Sequence, residues 1–474
     1  MAVETTILIV AVAAGFYMAW SIGANDVANA MGTSVGSGAL TVKRAVILAA
    51  VLEFAGAFFV GTHVSETIRK GIINPEVFIG HEFDLAYGMM GALMAAAVWL
   101  QIASYFGWPV STTHSIVGAV LGFGVMYGGF AIADWGKVTE IVSSWIVSPL
   151  MCGTIAFLLF SLLRKLIFNN DNPVRAAQQV TPYLVFIVFG VLTLTMVFKG
   201  LKNLNLNLAF YDALLVAGAT GLLAAFISFF LVRRIRVKPS QDRVLVRQPS
   251  SVSKRISKAI DHLHKVSQEA QGDVRDQVET LLRDLKSIDK EAKRGATVEK
   301  GSSEYRAVER IFVYLQILSA AFVAFAHGAN DVANAVGPLA AVIAIMKTGH
   351  LALKSAVPLW VLGLGGVGIV VGLATWGWRV MATIGKKITE LTPTRGFCAE
   401  FAAATTIVLA SKLGLPISTT HTLVGGVLGV GLARGIGALN LRVVTNIVIS
   451  WVITIPVGAL GAILFYYIFK AVFG

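Results

Sequence analysis

Charged residues are scarce in this 474-residue sequence: they make up 14% of it, against about 25% in an average soluble domain. Hydrophobic residues make up 56%, more apolar surface than a water-soluble globule of this length can bury. Only two cysteines occur, Cys152 and Cys398, and both lie in apolar runs, which argues against a disulfide framework and a cysteine metal site. Residues 1–6 contain no Lys or Arg, so we expect no cleaved signal peptide.

Long polar stretches are also missing, with one exception. The chain carries a net charge of +13, and residues 233–310 alone hold 19 basic and 12 acidic residues. Elsewhere the chain consists mostly of apolar runs of about 20 residues, the length of a membrane-spanning helix. The basic charge therefore does not indicate a nucleic-acid partner, and we predict an all-α polytopic membrane protein in the lipid bilayer.

The basic segment, residues 233–308, is predicted to be a cytoplasmic, amphipathic helical insert. Its apolar residues recur every three or four positions, as at Val278, Leu281 and Leu285, which is typical of amphipathic helices. We interpret it as a helical linker that lies on itself or on lipid headgroups. A regulatory role or a partner site is the alternative.

The remaining chain contains an internal duplication. The octapeptide GANDVANA occurs at 23–30 and again at 328–335, and PVSTTHSIVGAVLGFG at 109–124 recurs as PISTTHTLVGGVLGVG at 416–431. Two motifs in the same order at nearly the same offset indicate two copies of one unit. We assign four segments: a first transmembrane repeat at 1–165, two additional transmembrane helices within 166–232, the insert at 233–308, and a second repeat at 309–474.

Each repeat contains a place where two apolar segments meet without a polar loop, at Trp108-Pro109 and at Leu415-Pro416. We predict a re-entrant helical hairpin there, near 85–130 and near 396–434, because broken backbone within a membrane is tolerated only inside protein or a cavity. Five crossings then precede the insert and three follow it, so the repeats have inverted topology. The distribution of basic residues favours a cytoplasmic insert, with both termini outside a plasma or inner membrane.

Polar residues of the octapeptide lie inside apolar segments in both copies. An ionisable residue at membrane depth costs about 2.5–3.5 kcal/mol, and carboxylate and amide oxygens are hard ligands that suit Na⁺ or a proton relay. The glycines around the motif favour a locally unwound segment. The alternative is a polar contact in helix packing. The candidate Na⁺ ligands are Asn25, Asp26, Asn29, Asn330, Asp331 and Asn334.

Hydroxyl residues follow the proline of the second motif in each copy, at the predicted start of a helix. Free N–H groups and the helix dipole make such a start an anion cradle, and two tips from inverted repeats would face each other. The alternative is N-capping alone, and for His114 and His421 we expect an orienting or packing role. The candidate phosphate-binding hydroxyls are Ser111, Thr112, Thr113, Ser418, Thr419 and Thr420.

Two single acids, Glu53 and Glu400, lie in apolar runs at positions that are not equivalent in the two copies. Both are candidate coupling acids that would bind a proton or a cation. A structural hydrogen-bonding role is equally compatible with the sequence.

These motifs resemble the duplicated signature of the inorganic phosphate transporter (PiT) family, and the resemblance covers both repeats. It implies a homodimer that takes up inorganic phosphate with a cation, Na⁺ in some members and H⁺ in others, and the family has a sulfate-transporting branch. By resemblance, Asn25, Asp26, Asn330 and Asp331 match the cation and substrate region. The hydroxyl tips match the phosphate cradle, and Glu53 and Glu400 match intramembrane acids.

The resulting expectation is a symporter of phosphate with Na⁺, without a cofactor and without enzymatic activity. The alternatives are a symporter of phosphate or metal-phosphate with H⁺, a sulfate permease of the same fold, and a passive anion channel. An enzyme that uses Ser111 and His114 is less compatible, because it would not need the same pair duplicated in inverted copies.

Overall fold

The computed structural model describes residues 2–197, 209–235, 250–296, 303–350, 357–386 and 388–474. All regular structure in these residues is helical. Seven of the described helices are long and apolar enough to cross a membrane, so the prediction of an all-helical membrane protein is confirmed. Residues 351–356 of the second repeat, and parts of the insert at 236–249 and 297–302, lie outside the described residues.

The sixteen α-helices in the described part of the chain form two compact units. The first unit comprises Met1–Leu159, Ile187–Gly221 and Val313–Gly474, and the second comprises Phe160–Phe186 and Leu222–Phe312. The helices of the first repeat are α1 (Ala2–Gly36), α2 (Val42–Val60), α3 (Thr62–Lys70), α4 (Glu82–Phe106), α5 (Thr112–Gly128) and α6 (Trp135–Leu163), which a π-helical turn extends to Phe168.

Four helices follow before the second repeat. They are α7 (Pro173–Val197), α8 (Phe210–Arg233), α9 (Ser250–Glu269) and α10 (Asp273–Ala296). The insert helices α9 and α10 pack against each other, and the chain turns between them at Gly272, whose φ is +58°. The second repeat contains α11 (Ser303–Thr348), α12 (Leu359–Thr375), α13 (Trp378–Lys386), α14 (Pro393–Lys412), α15 (Thr419–Arg434) and α16 (Leu441–Phe473).

The long helices α1 and α11 run unbroken through the two octapeptides, so the predicted unwound segment is wrong. The motif glycines serve close helix packing instead. A Cβ on Gly23 would lie 1.9 Å from the carbonyl oxygen of Ile369 in α12, and one on Gly328 would lie 2.1 Å from that of Glu53 in α2. Each motif helix is therefore crossed at backbone contact by a helix of the other repeat.

The two predicted turns are also similar to each other. Gly107 and Gly414 both adopt φ of +69°, a conformation that glycine takes without steric cost. Helix α4 has 25 residues and is long enough to span a bilayer, so it exceeds the half-helix that we expected. It packs against both α1 and α16. Helices α5, α14 and α15 have 17, 20 and 16 residues.

The close helix contacts predict a specific sensitivity to added methyl groups. Gly372→Ala places a Cβ 1.9 Å from the carbonyl oxygen of Trp20, and overpacking of this kind costs about 1–3 kcal/mol. Gly218→Ala in α8 is the matched control, because its Cβ meets nothing within 4 Å. Thermal unfolding of the purified protein in detergent should show a lower melting temperature for Gly372→Ala only. Equal melting temperatures for the two variants would contradict this packing.

Candidate functional site

The polar residues of both octapeptides meet in the interior of the first unit. Asp26 and Asp331 have no exposed surface, and the four asparagines of the motifs are each 1% exposed. The side chain of Asn29 donates from Nδ2 to Asp26 Oδ1 at 2.8 Å, because residues three positions apart share one face of a helix. The two motifs thus form one buried polar cluster within apolar surroundings.

Asn25 and Asn330 make equivalent contacts to the hairpins of their own repeats. Asn25 Nδ2 donates to Ser104 Oγ at 3.0 Å and to the carbonyl oxygen of Trp108 at 3.1 Å. Asn330 Nδ2 donates to Ser411 Oγ at 2.9 Å. We predicted that both asparagines bind phosphate as well as Na⁺. Their N–H groups are engaged in these contacts, so the oxygens that remain suit a cation rather than an anion.

Asn29 and Asn334 reach the hairpin of the opposite repeat. Asn29 Nδ2 donates to Thr420 Oγ1 at 2.8 Å. Asn334 Nδ2 lies 3.3 Å from Thr112 Oγ1 and 3.2 Å from Thr113 Oγ1. Each motif is therefore connected to both hairpins, and the same pattern occurs twice.

The two aspartates also contact the threonines at the start of α15, in the second repeat. Thr419 Oγ1 donates to Asp331 Oδ2 at 2.8 Å, and Thr420 Oγ1 lies 3.2 Å from Asp26 Oδ1. The structure thus brings the candidate cation ligands and the candidate anion-binding threonines into direct contact.

The two hairpin tips touch each other beside this cluster. Thr113 Oγ1 donates to the carbonyl oxygen of Ile417 at 3.0 Å, and Thr420 Oγ1 lies 3.2 Å from that of Val110. The N-termini of α5 and α15 therefore lie close to each other beside the Asn/Asp cluster. Both bring free N–H groups and the positive end of a helix dipole to it.

The serines of the tips have a different role. Ser111 and Ser418 are the N-cap residues of α5 and α15, and each Oγ accepts from the backbone N–H of the following histidine at 3.1 Å. This is the N-capping arrangement that we had given as the alternative. Four threonine hydroxyls, rather than all six hydroxyls, contact the Asn/Asp cluster.

The histidine rings behind the tips contact each other edge to face. The ring centroids of His114 and His421 are 4.3 Å apart, and their rings pack on Trp145 and Trp451 at 3.7 and 3.5 Å. Each Nδ1 faces the carbonyl oxygen of the other repeat's tryptophan, at 3.5 and 3.3 Å. The Trp145 carbonyl is available because Pro149, four residues on, has no N–H. The histidines therefore pack and orient the tips, and the His114 ring does not activate Ser111.

Sequence reasoning missed a further member of the cluster, His327. Its Nε2 lies 3.2 Å from Asp331 Oδ2 and 3.8 Å from Asp26 Oδ2, and its Nδ1 lies 3.4 Å from Glu53 Oε1. His327 immediately precedes the second octapeptide, whereas Ile22 precedes the first. This exchange of Ile for His before two identical motifs was the signal in the sequence.

The two candidate coupling acids lie in different environments. Glu53 adjoins the central cluster through His327. Glu400 lies in a separate group, where its oxygens accept from Thr33 and Ser34 at 2.5 and 2.6 Å and from Ser319 at 2.6 Å. The Glu400 carboxylate is thus satisfied by protein donors, whereas that of Glu53 has no hydrogen-bond donor in the described residues.

Several buried oxygens of the central cluster likewise have no donor among the described residues. An unsatisfied buried acceptor costs about 1–3 kcal/mol, and carboxylate and amide oxygens are ligands for hard cations. The donor set therefore fits a small hard cation such as Na⁺. These oxygens are Asn25 Oδ1, Asp26 Oδ2, Asn330 Oδ1, Asp331 Oδ1 and Asn334 Oδ1.

Comparison with known proteins identifies the family. Inorganic phosphate transporter 2-1, chloroplastic, of Arabidopsis thaliana is 45% identical to this chain, and the match covers 97% of this chain and 71% of the relative. A putative phosphate permease of Thermococcus kodakarensis is 44% identical, with 97% of each chain covered. The solved structure of a sodium-dependent phosphate transporter is 39% identical and superimposes with a TM-score of 0.80, covering 98% of this chain and 99% of the other.

The phosphate transporter family matches residues 22–462. This match confirms the resemblance that we inferred from the two motifs. It also confirms that the protein is a transporter rather than an enzyme, because the family and these relatives are transporters. The chain belongs to the phosphate transporter family.

Proposed function

We propose that the protein is a secondary active transporter that imports inorganic phosphate by symport with Na⁺. The observation that carries the proposal is a group of buried oxygens without a hydrogen-bond donor in the described residues, in side chains whose other polar atoms contact the threonines of two helix N-termini. One part of this cluster suits a cation and the adjoining part suits an anion. The likeness to a sodium-dependent phosphate transporter supports Na⁺ as the coupling ion.

The cation ligands are proposed to be the oxygens of Asn25, Asp26, Asn330, Asp331 and Asn334. Asn29 contributes by orienting Asp26 through its own amide N–H. Bound Na⁺ would neutralise the two buried carboxylates. Because like charges repel strongly where the dielectric constant is low, this neutralisation allows an anion to enter beside them.

The anion is proposed to bind at Thr112, Thr113, Thr419 and Thr420, between the N-termini of α5 and α15. Hydroxyl groups and helix N-termini are typical ligands of phosphate. An Asp26 or Asp331 carboxylate that faces the anion would favour phosphate over sulfate, since phosphate near neutral pH still carries a proton that a carboxylate accepts, whereas sulfate offers none. An anion channel would need no buried aspartates beside the anion.

We further propose that the hairpins α4–α5 and α14–α15 are re-entrant and that the two repeats have inverted topology. The contact between the tips and the repetition of each Asn contact in both repeats support this arrangement. The orientation with a cytoplasmic insert and external termini, the plasma or inner membrane location and the homodimer remain predictions. Transport would then alternate access to the site by movement of one group of helices against another.

The proposal is tested by uptake of ³²P-phosphate into proteoliposomes. An inward Na⁺ gradient should drive accumulation above the external concentration, and excess sulfate should not reduce it. Liposomes without protein are the control. Accumulation with an H⁺ gradient alone would reject Na⁺ coupling and would assign the coupling to protons at Asp26, Asp331, Glu53, His327 or Glu400. Equilibration without accumulation under either gradient would indicate a channel.

Removal of the buried charge should abolish coupled uptake. Asp26→Asn and Asp331→Asn keep the shape of the side chain but remove the carboxylate that Na⁺ would neutralise, so Na⁺-driven uptake should fall to the level of empty liposomes. Asp212→Asn, an exposed aspartate in the first turn of α8, is the control and should transport normally. Normal uptake by both site variants, with melting temperatures like that of the parent protein, would exclude the aspartates from the mechanism.

Loss of the threonine hydroxyls should affect phosphate more than Na⁺. In Thr112→Val with Thr419→Val, the apparent KM for phosphate should rise about tenfold or more, because a hydrogen bond to a charged group contributes about 1.5–3 kcal/mol. The Na⁺ concentration for half-maximal uptake should change less. Thr405→Val removes a hydroxyl that donates to the Phe401 carbonyl oxygen within α14, and should leave both values unchanged. An equal loss of phosphate and Na⁺ affinity would contradict the assignment of the tips to phosphate.

A further inference from the structure

A second candidate site, lined by basic rather than acidic side chains, lies in the second compact unit, where α7 begins and α8 ends. A cavity of about 980 Å³ lies there. The side chain of Gln178 connects α7 with the end of α8, because its Nε2 donates to the carbonyl oxygens of Val232 and Ile235. Pockets of this size accommodate small organic ligands.

Two arginines line this cavity. Arg175 lies in the first turn of α7, and Arg233 is the last residue of α8. The guanidinium of Arg233 lies 3.7 Å from the centroid of the Phe229 ring, which holds it in place. Neither guanidinium lies within ion-pairing distance of a carboxylate in the described part of the chain, so both positive charges are available to an anion.

The lining residues Pro182 and Tyr183 form an apolar end of the cavity. Tyr183 lies about 15 Å from the start of α7 at Pro173, at 1.5 Å per residue. Both α7 and α8 are long and apolar enough to span a membrane, so the helix ends with the arginines mark the membrane surface. The apolar end therefore lies at the depth of the lipid acyl chains, about half of the 30 Å hydrocarbon core.

We propose that this cavity binds an anionic phospholipid, with its phosphate at Arg175 and Arg233 and the upper part of its acyl chains against Pro182 and Tyr183. Basic cavities between transmembrane helices bind anionic lipid headgroups, and arginine suits phosphate through its planar pair of donors. A free phosphate ion would have the same charge but would leave the apolar end uncovered. Tyr183 is 73% exposed at that end.

The test uses the purified full-length protein in phosphatidylcholine–detergent micelles with increasing phosphatidylglycerol, and the readout is the melting temperature. Phosphatidylglycerol should stabilise the parent protein. In Arg175→Gln with Arg233→Gln its apparent affinity should weaken about thirtyfold, as expected for two lost cationic contacts. Lys43→Gln with Arg44→Gln removes two exposed charges at the start of α2, outside the cavity, and should behave like the parent.

Inorganic phosphate without phosphatidylglycerol distinguishes the source of the anion. Its stabilising effect through the transport site should persist in Arg175→Gln with Arg233→Gln, which also shows that the variant is folded. Loss of that effect would assign the cavity to free phosphate and overturn the lipid proposal. Equal stabilisation of all proteins by phosphatidylglycerol would overturn it as well. If the double variant does not fold, Arg175→Gln and Arg233→Gln alone should each show part of the loss, and parent-like affinity in both would reject the proposal.

Discussion

The structure depends on one electrostatic constraint: two carboxylates, Asp26 and Asp331, lie fully buried among apolar helices. Such charges must be paired or bind a cation. The protein supplies asparagine amides, threonine hydroxyls and His327 around them, but leaves five oxygens of the cluster without donors. In the account that we propose, cations complete this set, and the helix N-termini of the two tips then hold the anion beside them. Cation binding and anion binding are in this way parts of one electrostatic balance.

The two repeats build the site with the same contacts but are not equivalent around it. Asn25 and Asn330 each hold their own hairpin, and Asn29 and Asn334 each reach the opposite one. The similarity ends at His327, which occupies the position of Ile22 and connects the aspartates to Glu53. The Glu400 group also lies apart from the centre. These ionisable groups distinguish two otherwise similar halves.

Much of the site follows from the sequence because its information is local and duplicated. Spacing of three places Asp26 and Asn29 on one helix face, and the second copy repeats the pattern. Contacts such as Asn29 to Thr420, 391 residues apart, could not be specified, because they depend on how distant helices pack. For the same reason Gly23 and Gly328 suggested unwound backbone, whereas the structure uses them for close crossings by α12 and α2. Glu53 and Glu400 looked alike in the sequence and are both fully buried, but their partners differ: Glu400 accepts from hydroxyl groups, whereas Glu53 adjoins His327.

The most direct test of this account is the binding of phosphate to the purified protein at different Na⁺ concentrations, with choline replacing Na⁺ to keep ionic strength constant. If cations neutralise Asp26 and Asp331 to admit the anion, phosphate affinity should rise steeply with Na⁺, and phosphate should raise Na⁺ affinity by the same factor. Phosphate affinity that is the same with and without Na⁺ would contradict the account, because it would show that the cation site and the anion site are not energetically coupled.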